Sequence, residues 1–133
     1  MVTKKKRSPA ARMPPPKMHR IGEEMKQWSA MLVTEVEGWP GVKSRPMFGL
    51  RGCYRKGRIF CGLPVTRAIG SACSIMFKID PMPQMLAKRA NGDVRVHLHR
   101  EHAAPKWTIF ELGSEEDLRD AIWWLSQAYE RAK

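Results

Sequence analysis

The segment from Pro46 to Leu63 constrains the fold more than any other part of the chain. It reads PMFGLRGCYRKGRIFCGL. Strand-forming residues flank Lys56-Gly57 on both sides, and a tight turn at that point lets Gly57 take the positive φ that short hairpin turns require. The segment therefore predicts a β-hairpin unit of two or three strands, around which the rest of the chain must build a sheet.

The tip of this predicted hairpin carries three cations, Arg55, Lys56 and Arg58. Two interpretations stay open. The cations can lie against the phosphate backbone of a nucleic acid, or they can keep an exposed sheet edge soluble, as charged residues on edge strands do. The tip is therefore a candidate nucleic-acid contact.

Helical periodicity marks both ends of the folded region. Apolar residues at three- and four-residue spacing predict a first helix from about His19 to Gly38. Ser114 as an N-cap followed by three acidic residues predicts a last helix that continues to the end of the chain. The apolar stripe of this last helix comprises Leu118, Ala121, Ile122, Leu125, Ala128, Tyr129 and Ala132.

Trp123 lies off that stripe, whereas Trp124 lies near its border. Trp123 is therefore expected to be partly exposed unless a loop or the N-terminal segment covers it. Because an unpartnered aromatic side chain favours protein interfaces, self-association through Trp123 is the alternative interpretation.

Three more strands and a short helix are predicted between these elements. The strands cover residues 72–79, 94–99 and 106–112, and the first of them reads as half-buried because apolar and polar residues alternate along it. Alternation in the second places Val94, Val96 and Leu98 on one face and leaves the other face wet. Asp80 as an N-cap and Pro81 as the first helical residue predict the short helix, which ends near Ala90.

Together these elements predict the α+β class. The expected architecture is a twisted, mostly antiparallel sheet of five or six strands, with the N- and C-terminal helices packed together on one face. At 133 residues the chain has room for one domain with its own core.

Positive charge is concentrated before that domain. The chain carries a net charge of +11, from 24 basic against 13 acidic residues. The first twenty residues contain no acid, and their basic residues are Lys4, Lys5, Lys6, Arg7, Arg12, Lys17 and Arg20. Because this segment is rich in proline and lacks apolar periodicity, we expect residues 1–18 to form a disordered basic arm and residues 19–133 to form the domain. The arm either binds phosphates or is a solvated extension.

The remaining composition indicates a soluble, cytoplasmic protein. No apolar run approaches the roughly 20 residues that a membrane-spanning helix needs, and no apolar stretch follows the N-terminal lysines as in a secretory signal. The three cysteines are odd in number and suit a reducing compartment. We therefore expect no membrane partner.

Two kinds of chemical site can be assembled from the residue types. His97, His99 and His102 are spaced closely enough to converge on zinc or a similar ion, although a wet strand face carrying Arg95, His97 and His99 is the alternative. Either Cys61 or Cys73 paired with His97 or His99 would give a nucleophilic pair.

Neither kind of site is supported by a recognisable motif. Each cysteine lies among apolar residues, where burial would raise its pKa and leave it inert. The sequence also lacks a phosphate-cradling glycine loop, a dinucleotide fingerprint and a serine elbow. We therefore expect a non-enzymatic protein without a cofactor or a metal.

The motif PMFG-x-x-G-x-Y-x-x-G-x-x-F, from Pro46 to Phe60, resembles the TfoX N-terminal domain and its YjbR-type relatives. Trp107 before the last strand and the closing SQAYERA, Ser126 to Ala132, extend the likeness to about residues 20–133. A weaker likeness, in Trp39 to Val42 and His97 to Arg100, is to small uncharacterised proteins labelled luciferase-domain. The TfoX resemblance implies a compact α+β domain linked to bacterial regulation, and it implies no catalytic residues.

The sequence thus leads to three functional hypotheses. The first is a regulatory protein that contacts nucleic-acid phosphates through Lys4, Lys5, Lys6 and Arg7 of the arm and through the hairpin tip. The second is a protein-interaction module or homodimer that uses Trp123. The third is a ligand or metal pocket at His97, His99 and His102.

Overall fold

The computed structural model describes residues 18–98 and 107–132. The strands in chain order are β1 (Met18–Arg20), β2 (Val42–Met47), β3 (Leu50–Arg55), β4 (Arg58–Pro64), β5 (Arg67–Ile69), β6 (Ser74–Lys78), β7 (Val96–Leu98) and β8 (Trp107–Glu111). The helices are α1 (Glu23–Glu37), α2 (Gln84–Asn91) and α3 (Asp117–Arg131).

Six of the strands form one antiparallel sheet in the order β2-β3-β4-β6-β8-β7. The other two, β1 and β5, pair separately as a small antiparallel sheet. Helices α1 and α3 pack on one face of the large sheet, here called the helix face. The predicted α+β class, with both terminal helices on one face of a mostly antiparallel sheet, is therefore confirmed.

Two-residue turns connect the first three strands of the sheet, as the opening segment predicts. Lys56 and Gly57 have φ of 54° and 79°, and Phe48 and Gly49 have φ of 51° and 85°. Positive φ at both central residues is the geometry of the type I′ turn, whose twist matches that of the flanking strands. The segment is thus a three-stranded meander whose turns depend on its glycines.

The main core lies between the sheet and the terminal helices. Trp124 of α3 is completely buried and stacks on Phe77 of β6, with ring centroids 5.4 Å apart. Leu32 and Val36 of α1 are equally buried in the same cluster. Trp124 therefore lies at the centre of the buried face of α3 and not at its border. Ile122, which the prediction placed in the apolar stripe, is only partly buried.

The opposite face of the sheet, here called the back face, is covered in part by the small β1–β5 sheet. Met76 and Ile109 are buried there beneath Met18 and Ile69, which belong to β1 and β5. The prediction that β6 is half-buried is therefore wrong, because the second layer covers its other face as well. A strand covered on both sides shows no difference in burial between its alternating residues.

The helix starts differ from the predicted ones. Helix α1 begins at Glu23 and not near His19, because Met18–Arg20 pairs with Arg67–Ile69 as a strand. Helix α2 begins at Gln84 and not at Asp80. Pro83 explains this difference, since the residue before a proline is disfavoured in the helical conformation and the helix cannot form through Met82.

Helix α3 begins at Asp117, three residues after the predicted N-cap. The Asp117 carboxylate accepts hydrogen bonds from the backbone N–H groups of Gly113 and Ser114, at 2.7 and 3.2 Å. The Asp117 side chain, inside the helix, therefore accepts the hydrogen bonds of the backbone N–H groups in the preceding turn. The Ser114 side chain does not act as the predicted N-cap.

The strand predicted at residues 94–99 begins two residues later than expected. Strand β7 covers Val96–Leu98, and Val94 lies outside it with 89 % of its surface exposed. Arg95 is half-buried and extends toward three aspartates of its own turn and of α3. The predicted placement of Val94 on a buried face and Arg95 on a wet face is wrong, because this arginine has carboxylate partners 22 and 25 residues away.

Candidate functional site

A cleft of about 270 Å³ opens beside the hairpin tip, at the C-terminal end of α3. Its charged side chains are those of Arg58 in β4, Lys78 in β6 and Arg131 in α3, together with Asp80, which follows β6. Ile59, Ala128 and Ala132 complete the wall. The cleft therefore carries three cations against one carboxylate.

A β-bulge in β4 creates the opening. Cys53 pairs with Cys61, but the next residue, Tyr54, pairs with Ile59, so Phe60 is an extra residue in β4. Both Phe60 and Cys61 are buried in the core of the helix face. Because of this extra residue, the side chains that precede Phe60 in β4 lie on the opposite faces of the sheet from those that regular alternation would give. The side chain of Arg58 is therefore turned toward α3.

The same bulge separates β4 from β6. Their pairing is confined to Cys61 with Phe77 and Gly62 with Met76. The beginning of β4 and the end of β6 therefore diverge, and the cleft lies between Ile59 and Lys78 where they part. A bulge at the end of a strand pair is a common device for ending a ladder and re-aiming side chains.

The cleft cations have no acidic partner among the described residues. Neither Arg58, Lys78 nor Arg131 forms an ion pair with a carboxylate of residues 18–98 or 107–132. Arg131 donates hydrogen bonds to the carbonyl and side-chain oxygens of Gln127, at 3.2 and 3.1 Å. Guanidinium and ammonium groups that surround one opening, with no carboxylate paired to them in the described part of the chain, suit an anionic ligand.

The three cations of the predicted hairpin tip have different roles. Arg55 donates a hydrogen bond of 2.8 Å to the carbonyl oxygen of Tyr129, and its guanidinium lies 4.1 Å from the centre of the Tyr129 ring. Arg55 therefore fixes the last turn of α3 against the tip. Lys56 and Arg58 are exposed and form no ion pair within the described part of the chain.

Two other cations near the hairpin contact side chains of their own chain. Arg51 lies 3.6 Å from the Glu37 carboxylate at the end of α1. The Arg45 guanidinium lies over the ring of Tyr54 at 4.8 Å. Lys78 and Arg131 join the cleft from segments far away in sequence, and no local pattern in the sequence indicates either of them. The arm cations Lys4, Lys5, Lys6 and Arg7 lie outside the described residues.

Trp123, the predicted interface residue, is half-buried. The guanidinium of Arg89 from α2 lies 3.9 Å from its ring centre, and the Trp124 ring contacts it edge-on at a centroid distance of 4.9 Å. Trp123 is therefore covered on one side by its own chain. The prediction that it forms an interface stays a prediction.

The predicted histidine site is only partly visible. His97 Nε2 lies 2.9 Å from Glu111 Oε1 across the β7–β8 pair, while His99 and His102 lie outside the described residues. Within residues 18–98 and 107–132, no three metal-ligating side chains come together. A metal at His97, His99 and His102 stays a prediction.

The cysteines fall into two environments. Cys53 and Cys61 are buried opposite each other on neighbouring strands, whereas Cys73 is exposed, contrary to the expectation that each cysteine is buried. Burial raises the pKa of Cys61 well above its usual 9.0, and the hydrogen bond that it shares with Cys53 raises that pKa further. The same hydrogen bond lowers the pKa of Cys53 and outweighs its burial.

This difference predicts the reactivity of the thiols. With a chromogenic aryl disulfide, we expect one thiol per native chain to react rapidly, and all three of the cysteines to react in denaturant. The Cys73→Ser variant should lack the rapid phase. A rapid phase of two or more thiols in the native protein would contradict the buried positions of Cys53 and Cys61.

Comparison of the chain with protein-family models, with curated proteins and with solved structures gives no match. The resemblance to the TfoX N-terminal domain therefore stays a prediction. In the described part of the chain, the helices are all too short or too polar to cross a membrane.

Proposed function

We propose that this protein binds the phosphate backbone of a nucleic acid through the cationic cleft and the adjoining hairpin tip. The observation that carries the proposal is a set of three cations around the cleft, Arg58, Lys78 and Arg131, which have no acidic partner among residues 18–98 and 107–132 and lie beside the exposed Lys56. Fixed arginines and lysines that face the same opening are the usual means of neutralising phosphates.

The cleft is large enough for a segment of nucleic-acid backbone. Its volume of about 270 Å³ lies just below the common range for small-molecule pockets, roughly 300–1,000 Å³. A phosphodiester enters such an opening while the rest of the strand continues outside. Lys56 at the tip and the basic arm would then contact neighbouring phosphates.

The net charge of +11 supports the same conclusion. A strongly basic chain attracts a polyanion over a distance of about one Debye length, and this attraction carries no sequence information. We therefore propose weak sequence selectivity, with Lys4, Lys5, Lys6 and Arg7 adding affinity and the cleft adding a defined contact. Regulation through nucleic-acid binding would agree with the TfoX resemblance.

Fluorescence anisotropy of a labelled duplex and of a single strand at two salt concentrations tests the proposal. We expect binding at low salt with a linear fall of log K against log salt. The Arg58→Ala/Arg131→Ala variant should reduce the magnitude of the duplex salt slope by about two and weaken binding to every sequence alike. Asp80→Asn should have the opposite effect and strengthen binding, because it removes the acidic group from the cleft.

A charge-matched control separates the cleft from net charge. Lys26→Ala/Arg119→Ala also removes two cations, at exposed positions that do not line the cleft. It should change affinity much less than Arg58→Ala/Arg131→Ala does. Equal losses would show that only net charge matters, and no binding at low salt would refute the proposed function.

The arm is tested in the full-length chain by replacing Lys4, Lys5, Lys6 and Arg7 with alanine. We expect the salt slope to decrease because up to four phosphate contacts are lost. An unchanged slope would show that the arm is a solvated extension and would leave the cleft as the binding site.

A further inference from the structure

One row of side chains crosses the back face of the sheet at the level of the cleft. Lys43 of β2 pairs with Tyr54 of β3, and Tyr54 pairs with Ile59 of β4. On the far side of the cleft, Lys78 of β6 pairs with Trp107 of β8. The row therefore contains two pairs of a cation and an aromatic ring, one on each side of the cleft between Ile59 and Lys78.

The glycines next to this row show which face it occupies. A Cβ atom built on Gly52 would lie 3.3 to 3.4 Å from atoms of Ile59, Met47 and Tyr54. These three side chains therefore lie on the same face as the Gly52 position, and Met47 belongs to the back-face cluster. The row is thus on the back face, away from α1 and α3.

The β1–β5 sheet leaves this row accessible. Its side chains cover Leu50, Met76 and Ile109, which are buried. By contrast, part of the surface of Tyr54, Ile59, Lys78 and Trp107 is accessible, and Lys43 is exposed. The back face is therefore divided into a covered half and an open half. Tyr54 lies in the open half, and Trp107 lies at the boundary, where it is half-buried against the covered cluster.

The chemistry of the open half matches a nucleic-acid strand whose bases are not paired. Aromatic rings between cations bind such strands, because the bases stack on the rings while the cations contact the phosphates. Arg45 already lies over the Tyr54 ring at 4.8 Å, and a guanidinium plane is itself a surface on which a base stacks. With strands about 4.8 Å apart, Tyr54 and Trp107 are separated by at least about 14 Å, which leaves room for more than one nucleotide.

We infer that the open half of the back face is a binding platform for single-stranded nucleic acid. Trp107 and Tyr54 are its aromatic stacking residues, and Arg45, which lies over the Tyr54 ring, extends that ring as a stacking plane and contacts the adjacent phosphate. Lys43 and Lys78 contact further phosphates. The strand crosses the sheet and places a phosphate in the cleft between Ile59 and Lys78. This inference rests on the proposed function and adds to it a preference for unpaired bases, which cations alone would not produce.

Anisotropy titrations with the full-length protein test the inference. The probes are a labelled 12-nucleotide oligothymidylate and a duplex of the same length. We expect the single strand to bind more tightly than the duplex. Tyr54→Leu should weaken single-strand binding at least about fivefold and change duplex binding by less than about twofold, because paired bases do not reach the ring. Tyr54→Phe keeps the ring and should bind as the unmodified protein does.

A second variant keeps the half-buried Tyr54 ring and changes only exposed residues. Lys43→Ala/Arg45→Ala changes two exposed residues of the edge strand β2. It should decrease the single-strand salt slope by about 1.4, at 0.7 per phosphate contact, and leave the duplex slope unchanged.

The outcomes separate the platform from the proposed function. If both nucleic acids bind with the expected salt slopes but Tyr54→Leu and Lys43→Ala/Arg45→Ala behave as the unmodified protein, the platform is refuted and the cleft proposal stands. Equal weakening of single-strand and duplex binding by Tyr54→Leu also refutes stacking. If neither the single strand nor the duplex binds, the platform and the proposed function are both refuted.

Discussion

Replacing Arg95 with leucine is expected to lower the free energy of unfolding by about 2–3 kcal/mol, because it removes the cation between three carboxylates. The Arg95 guanidinium lies 2.7 Å from Asp93, 2.8 Å from Asp117 and 2.9 Å from Asp120. It also lies over the ring of Phe110. Arg95 thereby joins the turn before β7 to the first turn of α3, and without it the three aspartates repel one another.

Urea denaturation of Arg95→Leu, with Arg119→Leu as the control, measures this effect. Arg119 is exposed on the same helix and forms no ion pair within the described residues, so its replacement should change stability by less than about 0.5 kcal/mol. Arg95→Lys should lie between the two, because one ammonium group cannot bridge three carboxylates as the guanidinium does. A loss below about 1 kcal/mol in Arg95→Leu would contradict a structural role for Arg95.

The same cluster predicts how stability depends on pH. The hydrogen bond from Arg95 lowers the pKa of Asp93 below its usual 3.8 and outweighs the burial of that carboxylate. Burial raises the pKa of Asp117, but hydrogen bonds from the Gly113 and Ser114 N–H groups and from Arg95 together lower it. Both groups therefore have lower pKa values in the folded state than in the unfolded chain.

Because folding lowers both pKa values, the stability contributed by Asp93 and Asp117 is present above pH 3.8. It is lost as the pH falls through the pKa values of the folded state. The unfolded state binds more protons in that range, so unfolding becomes easier as acid is added. Because Arg95→Leu lacks the main cause of the lowered pKa of Asp93, the stability difference between it and the unmodified protein should shrink below about pH 4. A difference that stays constant down to pH 3 would contradict this linkage.

A comparable loss, about 2–3 kcal/mol, is expected for Gly49→Asn, whereas Gly57→Asn should cost less than about 1 kcal/mol. Both glycines have positive φ, 85° and 79°, so the backbone penalty is similar. Their surroundings differ. A Cβ on Gly49 would lie 3.0 Å from Thr66 Oγ1 and 3.1 Å from the Cβ of Arg67, while a Cβ on Gly57 meets nothing within 4 Å.

The crowding at Gly49 arises from backbone contacts that anchor its neighbours. The Gly49 carbonyl oxygen accepts hydrogen bonds from the N–H groups of Val65, Thr66 and Arg67, at 2.9, 2.9 and 3.2 Å. The Arg67 Cβ atom is attached to this backbone and cannot rotate away. Urea denaturation gives the free energy of unfolding of Gly49→Asn and Gly57→Asn, and the difference between them measures the cost of crowding at Gly49. Equal losses in the two variants would contradict this crowding.

This comparison also bears on the Met47-Phe48-Gly49 motif, on which the TfoX resemblance depends. Gly49 holds the β2–β3 turn against the β4–β5 connection. Gly52, a further glycine of the longer motif, lies inside β3 opposite Gly62. The motif therefore has structural reasons to contain glycine, and the binding residues that we propose lie outside Met47-Phe48-Gly49.

The fold class was predictable because its signals are local. Periodicity indicates the helices at both ends, and Lys56-Gly57 and the residues around it indicate the central hairpin. The short strands β1 and β5 were missed, since each has three residues and neither has a pattern of its own. They exist because they pair with each other across 47 or more residues and cover Met76 and Ile109.

The candidate site was predictable only in part. The exposed cations Lys56 and Arg58 follow from the position of the turn, but Arg55 is held by Tyr129 and serves α3. Lys78 and Arg131 could not be placed beside Arg58 from sequence, because their approach depends on how β6 and α3 pack.

The sequence by itself determined that the chain contains a central hairpin with a cationic tip, two amphipathic terminal helices and a basic N-terminal segment, since charge and periodicity act over a few neighbouring residues. Only the tertiary structure decided which face each cation occupies. A single extra residue in β4, Phe60, reverses the alternation and turns Arg58 toward α3. That bulge also separates β4 from β6 and so opens the cleft beside the row that contains the half-buried Tyr54 and Trp107. Which strands pair, and in what register, depends on contacts between residues far apart in the chain, and local sequence patterns do not record them.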